Sequence, residues 1–469
     1  MPNLWTLNTP ARFWQSGASR TDAQWDQAVQ RALPVLGLPD EPRDVEELLA
    51  LTLGEGRLGD ERWRLGPAKQ AYYMLKPLLP RALTRTMRRI YGRLEGWKGG
   101  RVEGAPQSSD RPTFQSSNLH WPADTRYAEF QWEVMRQLVS LSGEEALPFT
   151  HFWPDAPGGL GYGSQYALVL THDVETAEGL AFARQVADLD ESFGFRSSFN
   201  LVPERYPLDY ELIDELRARG FEIGVHGLKH DGKLFRSRAE FERRAERINH
   251  YLREFDAVGF RAPLTHRHAE WMQALEIEYD LSFFDTDPYE PMPGGTMSLW
   301  PFMLGRFVEL PYTLVQDYVL TAVLQETTPR LWLDKVDVIE KYHGMALLNS
   351  HPDYMMDGAG LAIYRDFLYE MKERGGFWHA LPRDVAQWWR ARLSPGAAPQ
   401  PPDTLRVEAW FGADGITIDC GEVKDVVPEV QGSAPEVQGS APEVQERAER
   451  LPAALTVEES SRRLMGDLP

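Results

Sequence analysis

Two histidines and two carboxylates follow strand-like runs of this sequence, and their types could perform metal chemistry. His226 and His230 are separated by three residues, and Asp173 and Glu175 by one. One carboxylate and two imidazoles can hold a divalent ion while leaving positions open for a water and a substrate oxygen. The other carboxylate could then accept a proton from the water. Residues two apart in an extended segment face the same side, so either acid could be the ligand.

Three further polar groups follow other apolar runs. Arg261 ends the run 257–261 and precedes Ala262-Pro263. The acids of Asp285–Asp287 follow residues 279–284, and His351 follows residues 345–349. A cation beside the base carboxylate would keep it ionised and oriented. A histidine further away could protonate a leaving amine. These parts together suit the hydrolysis of an amide or an ester.

The elements that must position these groups alternate between strand and helix. Strand-like runs lie at 166–171, 195–202, 221–225, 257–261, 279–284, 307–311, 345–349 and 376–379. Between them, residues 237–255 have an apolar stripe with helical spacing, and Ser237 and Glu240 form a capping-box pattern. The alternation predicts a parallel sheet, and seven or eight strands favour its closure into a barrel. In a barrel, the chemistry takes place at the carboxyl ends of the strands.

Composition excludes several classes of protein. The chain of 469 residues has 50 Lys and Arg against 70 Asp and Glu, a formal charge of −20. This balance argues against nucleic acid as the main partner, since phosphate binding needs a basic surface. Cys420 is the one cysteine, which excludes an intramolecular disulfide and a cysteine-cluster metal site.

The composition changes along the chain and suggests three regions. We expect a helical accessory region over 1–160, an α/β domain over 165–394, and a tail over 395–469 that contains a linker, a short β-hairpin and a disordered segment. The disordered segment contains the heptad PEVQGSA, PEVQGSA, PEVQERA from residue 428. Proline in every repeat is incompatible with a coiled coil.

Over residues 165–394 the sequence resembles the polysaccharide deacetylases with a NodB homology domain, the group called carbohydrate esterase family four. Five motifs match in order. They are Thr171–Glu175, the pair His226 and His230, Arg261–Pro263, the Asp285–Asp287 region and Leu348–His351. The resemblance implies a distorted (β/α) barrel of seven or eight strands. It also implies zinc or another divalent metal, and removal of N-acetyl (sometimes O-acetyl) groups from amino sugars.

The resemblance also implies a role for each residue in the site. Those roles are Asp173 as base, Glu175, His226 and His230 as metal ligands, Arg261 as the group that orients the base, Asp287 as a groove residue that tunes the acid, and His351 as general acid. Some details depart from the family pattern. Val174 separates the first two acids, so the reverse assignment of base and ligand stays open, and Tyr289 stands where the family has tryptophan.

The leading hypothesis is a metal-dependent deacetylase of an acetylated sugar or polysaccharide precursor. A small-molecule amidohydrolase on the same fold is the first alternative. A non-catalytic protein that binds a glycan or a membrane-linked sugar is the second.

Location and partners are predicted only coarsely. The basic segment 69–101 could contact an anionic membrane surface, although a solvated face packed on the main domain explains it as well. The sequence has no apolar run of 18 residues, and Met1–Gly17 lacks the features of a secretory signal, so we expect a cytoplasmic protein. The oligomeric state is not predicted.

Overall fold

The structure is a computed structural model that describes residues 4–16, 20–59, 63, 114–115, 119–155, 163–393, 408–412 and 415–419. All of these belong to one compact unit, Met1–Glu422, and the second unit is Val423–Pro469. The basic segment 69–101 and the heptad repeats lie outside the described residues.

The described strands are short and lie mostly in the second half of the chain. In chain order they are β1 (Phe114–Gln115), β2 (His120–Trp121), β3 (Ala146–Phe149), β4 (Tyr166–Val174), β5 (Ser198–Leu201), β6 (Glu222–His226), β7 (Gly259–Arg261), β8 (Tyr279–Asp280), β9 (Phe302–Leu304), β10 (Phe307–Glu309), β11 (Met345–Ser350), β12 (Phe377–His379), β13 (Glu408–Gly412) and β14 (Gly415–Asp419).

The described α-helices precede the large sheet or alternate with its strands. They are α1 (Pro10–Trp14), α2 (Asp22–Ala32), α3 (Val45–Leu51), α4 (Arg126–Ser142), α5 (Ala177–Phe193), α6 (Tyr210–Ala218), α7 (Arg238–Glu254), α8 (Ala269–Met272), α9 (Arg330–Lys341), α10 (Pro352–Met355), α11 (Ala359–Arg374) and α12 (Pro382–Leu393).

A sheet of nine strands forms the centre of the molecule. Its order is β11-β4-β5-β6-β7-β8-β10-β9, and β12 also pairs with β4. Every pair is parallel except β9 with β10. All nine residues of β4 are buried, as expected for a parallel strand that is covered on both faces.

The segment 312–314 joins the two sides of this sheet. Tyr312 forms a parallel bridge with Phe284, beyond β8, and Leu314 forms a parallel bridge with Leu348 of β11. The row of parallel strands therefore curls into a distorted barrel, which confirms the predicted fold class.

The eight strand-like runs of the sequence correspond to β4–β8 and β10–β12. The predicted helix 237–255 is α7, whose N-cap Ser237 accepts a hydrogen bond from the Glu240 backbone N–H at 3.2 Å. β9 was not predicted. It has three residues, which are too few to show the side-chain alternation of a strand, and it pairs antiparallel with β10.

An aromatic cluster packs the N-terminal helices on the barrel. The rings of Phe13 and Trp300 lie 4.9 Å apart, and those of Phe152 and Trp300 lie 5.6 Å apart. The strands β13 and β14 pair antiparallel, and β13 also pairs with β3 in a three-stranded sheet. No helix among the described residues is long and apolar enough to cross a membrane.

Candidate active site

The carboxyl ends of four parallel strands bring the candidate residues together. β4 delivers Asp173 and Glu175, β6 ends at His226, β7 ends at Arg261, and His351 follows β11. A cavity of about 40 Å³ lies at this end of the barrel. Its lining residues are Asp173, Glu175, His226, His230, Ala262, Leu264, Thr265, Glu290, Pro291, Gln316, Tyr318, His351 and Tyr354.

Glu175, His226 and His230 could hold a metal ion, because one donor atom from each lies within 4.8 Å of the others. The Nδ1 of His226 lies 3.1 Å from the backbone oxygen of Arg261 and donates to it, which leaves the Nε2 lone pair for a ligand. Burial lowers the pKa of His226 to about 4, so the ring is neutral, the form that binds a metal. The Nε2 of His230 lies 2.9 Å from a Glu175 oxygen.

The backbone supports this group with an unusual conformation. His230 adopts a φ of 51°, in the left-handed region that residues other than glycine seldom occupy. Asp353 accepts hydrogen bonds from the Glu175 backbone N–H at 2.9 Å and from the Thr176 hydroxyl at 2.5 Å. Asp353 therefore holds the segment that carries Glu175.

Asp173 is buried among three donors. Its Oδ1 accepts from the Asn200 amide at 2.9 Å and from Arg261 at 3.0 Å, and its Oδ2 accepts from the Asn349 amide at 3.0 Å. Burial opposes the charge, but Arg261, His226 and His351 outweigh it and hold the pKa of Asp173 well below its usual range. The carboxylate is therefore ionised and has a fixed orientation.

Arg261 is fully buried and connects three strands. Its Nε donates to the Leu281 backbone oxygen at 2.8 Å, and its Nη1 also contacts the Thr171 hydroxyl at 3.0 Å and the Asn349 side-chain oxygen at 2.5 Å. The guanidinium thus aligns the ends of β4 and β11 as well as Asp173.

His351 is held in the opposite protonation state to His226. Its Nδ1 lies 2.7 Å from Asp317 Oδ1, and its backbone N–H donates to Asp317 Oδ2 at 2.8 Å. Burial disfavours the imidazolium, but Asp317 raises the pKa of His351 to about 10. Its Nε2 lies 4.0 Å from Asp173 Oδ2, so a protonated imidazole and an ionised carboxylate are close neighbours in the cavity.

Asp317 is the residue of the candidate site that sequence reasoning missed. Asp317 lies just after the segment 312–314 that follows β10. The next residue, the aromatic Tyr318, lines the cavity. An acid followed by an aromatic beyond the 307–311 run was the available signal. The sequence instead predicts the acid that tunes the general acid within Asp285–Asp287, and the aromatic residue at Tyr289.

The structure does not bring Asp287 into the cavity. Asp287 is fully buried, and its Oδ1 accepts the Tyr289 backbone N–H at 2.8 Å. Burial and the neighbouring Glu290 raise the pKa of Asp287 well above its usual range. Asp285 is turned toward Lys335, whose Nζ lies 2.9 Å from its Oδ1. Beyond β8, Phe284 pairs with Tyr312 and Asp287 pairs with Gly294, and neither acid lines the cavity.

His172 also lies outside the cavity. Its Nδ1 lies 2.8 Å from the Ser350 hydroxyl and its Nε2 lies 3.2 Å from Asp190 of α5. It therefore faces the helix layer, as the alternation of side chains along β4 requires.

No protein-family model matches this sequence, and no curated protein matches it. Several solved structures do, and each match covers about half of this chain. A Mycobacterium smegmatis protein designated a polysaccharide deacetylase is 20% identical over 54% of this chain and 99% of its own, with a TM-score of 0.39. PuuE allantoinase is 17% identical over 51% and 94% of the two chains, with a TM-score of 0.38.

The peptidoglycan deacetylase PdaC from Bacillus subtilis is 14% identical, with a TM-score of 0.33, over 48% of this chain and 93% of its own. The chain is therefore similar to polysaccharide deacetylases of known structure, at low identity, over about the length of one domain.

Proposed function

We propose that this protein is a metal-dependent hydrolase that removes acetyl groups from an N-acetylated sugar, polysaccharide or sugar conjugate. One observation carries the proposal. The cluster of Glu175, His226 and His230 lies in the same cavity as an ionised Asp173 and a protonated His351. A carboxylate and an imidazolium with pKa values shifted in opposite directions are the acid and base that amide hydrolysis needs.

The donor set fits a divalent ion, and zinc is our first choice because imidazole and carboxylate are ligands that zinc accepts. A divalent ion bound there would lower the pKa of a coordinated water and polarise a carbonyl oxygen. The neutral state of His226 and the proximity of His230 to Glu175 support this assignment. The contacts of Asp173 with three donors favour Glu175 as the carboxylate ligand.

The remaining residues supply proton transfer and orientation. Asp173 accepts a proton from the attacking water, and Arg261 and Asn349 keep its carboxylate in place. His351 donates a proton to the leaving nitrogen, and Asp317 keeps it protonated and oriented for that step. Nucleophile activation and leaving-group protonation thus come from two different residues that line the cavity.

The same groups also support a second candidate. A metal cluster beside an ionised carboxylate and a protonated imidazole could hydrolyse the amide of a small cyclic or formyl compound as well as an acetamide. A small-molecule amidohydrolase with the same residues in the same roles is therefore the alternative.

The first experiment measures metal content by elemental analysis on protein purified without an affinity metal. We expect about one divalent ion per chain, and its loss in Glu175→Gln. Glu178→Gln, an exposed glutamate of α5, is the matched control and should keep the metal. Absence of metal from the wild type, even after dialysis against zinc, would overturn the proposal.

The second experiment follows acetate release from N-acetylglucosamine oligomers. Asp173→Asn should lower kcat by about 10²–10⁴-fold, the usual contribution of a positioned base, while the metal is retained. Full activity in Asp173→Asn would refute its role as base. Ammonia or formate release from cyclic or formyl amides, without acetate release from any sugar, would favour the amidohydrolase.

A further inference from the structure

One wall of the cavity is formed by two loop segments rather than by strand ends. The turn Pro263–Thr265 contributes Leu264 and Thr265, and the loop 290–295 contributes Glu290 and Pro291. The Thr265 hydroxyl donates to Glu290 at 3.3 Å, so the two segments touch. A substrate whose acetyl group lies against the metal cluster would have this wall beside it.

A glutamate from the N-terminal region holds both segments. Glu55 lies just before the 3₁₀ turn Gly56–Leu58. Its Oε2 accepts from the Arg267 Nε at 2.8 Å, and its Oε1 accepts from the Arg267 Nη2 and from the Gly295 backbone N–H, the latter at 2.7 Å. One carboxylate therefore contacts the chain on both sides of the wall.

Arg267 contacts both the turn and the loop. Its Nη1 donates to the Thr265 backbone oxygen at 2.7 Å and also to the Met292 backbone oxygen at 3.4 Å, and its guanidinium lies 4.3 Å from the ring centre of Phe284. Arg57 adds a second contact from the N-terminal region, because its Nη2 donates to the Gly295 backbone oxygen at 2.6 Å.

The arrangement is closely packed and buried. Glu55 is 3% exposed and Arg267 is 6% exposed. Removing one partner of a buried ion pair leaves the other charge uncompensated, so the pair resists separation. A Cβ atom on Gly294 would lie 2.4 Å from a Glu55 oxygen and 2.5 Å from Arg267 Nη2. Only a residue without a side chain fits there while the pair is intact.

The acid–base residues have separate supports. The side-chain partners of Asp173 are Asn200, Arg261 and Asn349, and that of His351 is Asp317. These residues belong to the strands or to the segment that follows β10. Displacement of the wall would therefore change where the substrate lies more than how the catalytic groups are held.

We infer that the N-terminal region is part of the substrate-binding site, with Glu55 as the positioning residue that sets the wall formed by 263–265 and 290–295. This inference rests on the proposed function. Glu55 acts through Arg267 and Gly295, and it determines how well the saccharide next to the reacting acetyl group is accepted.

The test compares steady-state kinetics of Glu55→Gln and wild type on N-acetylglucosamine oligomers of two to six units. We expect KM to rise about tenfold or more while kcat changes less than about threefold, since a small misplacement of a positioning element weakens substrate placement strongly. Gly294→Ala approaches the same contact from the other side and should raise KM in the same way. Both variants should keep their metal, because Glu55 contacts Arg267 and Gly295 and not Pro263, the wall residue that packs against the turn between His226 and His230.

Asp124→Asn is the matched control. Asp124 forms another buried ion pair of the N-terminal region, at 2.6 Å from Arg126, and does not line the cavity. It should lower the melting temperature without raising KM. If Glu55→Gln loses stability as Asp124→Asn does but keeps the wild-type KM, the contact is only structural and the inference is overturned. A wild type without metal or acetate release would instead refute the proposed function.

Discussion

At the scale of single residues, the environment decides what identical side chains can do. Burial lowers the pKa of His226 to about 4 and leaves it a neutral ring. Asp317 raises the pKa of His351 to about 10, so that ring carries a proton at neutral pH. The two imidazoles lie in one cavity, and one carboxylate accounts for much of the difference between them.

Asp317→Asn should therefore change the pH profile. An acid works only while protonated, so activity is lost as pH rises through the pKa of His351. Without the Asp317 carboxylate this pKa falls, and the basic limb of kcat/KM against pH moves to lower pH. Asp366→Asn, on the exposed surface of α11, is the control and should leave that limb in place. An unmoved basic limb in Asp317→Asn would contradict the role of His351 as acid.

At the scale of elements, the parallel strands deliver the groups and the turns after them set their final positions. Gly227 follows β6 directly, and its φ of 63° lies in the left-handed region. A Cβ there would lie 2.4 Å from Pro263 Cγ, in the segment after β7. The turn that leads from His226 to His230 thus packs against the turn that follows Arg261, and glycine permits that approach.

Gly227→Ala should weaken metal binding. The alanine has to adopt the left-handed conformation, which costs roughly 1–2 kcal/mol. Its Cβ atom also has to displace Pro263. We expect zinc affinity to fall about 10–100-fold, the usual effect of disturbing the surroundings of metal ligands, as measured by competition with a chelator. Gly194→Ala isolates the first effect, since Gly194 has a φ of 86° and nothing within 4 Å of its Cβ position. Equal zinc affinities in the two variants would contradict the prediction.

At the scale of the whole molecule, the N-terminal helices and the barrel share their aromatic packing. Phe13 of α1 lies 4.9 Å from Trp300 and 5.3 Å from Phe152, ring centre to ring centre, and 6.1 Å from Trp389 of α12. Arg392 of α12 donates to the Phe13 backbone oxygen and, at 3.0 Å, to that of Thr150. Two regions that share such a core are expected to unfold together.

Phe13→Ala should lower the free energy of unfolding by about 3–5 kcal/mol, as for other buried phenylalanines. Denaturation followed by tryptophan fluorescence and by metal release should give one shifted transition, with both signals coinciding. Tyr369→Ala, at a position 53% exposed, should change stability by less than about 0.5 kcal/mol. Separate transitions, with the metal-releasing one unshifted, would show that the barrel is stable independently of α1.

The sequence by itself determined the strand and helix alternation, and with it the barrel and the end at which polar groups gather. It could do so because side-chain periodicity is local, and parallel strands must place their carboxyl ends together. For this reason the sequence could place Asp173, Glu175, His226, His230, Arg261 and His351 at one end of the barrel, while their roles stay a proposal. Each lies within a strand or a few residues beyond one.

Only the tertiary structure decided which distant groups meet. Asp317 reaches His351 across 34 residues, and Glu55 reaches Arg267 across 212. Asp287, close in sequence to a strand end, pairs with Gly294 and lies outside the cavity. Such contacts depend on how loops close and on which segment fills the remaining space. Those are properties of the folded chain as a whole, and no local pattern encodes them.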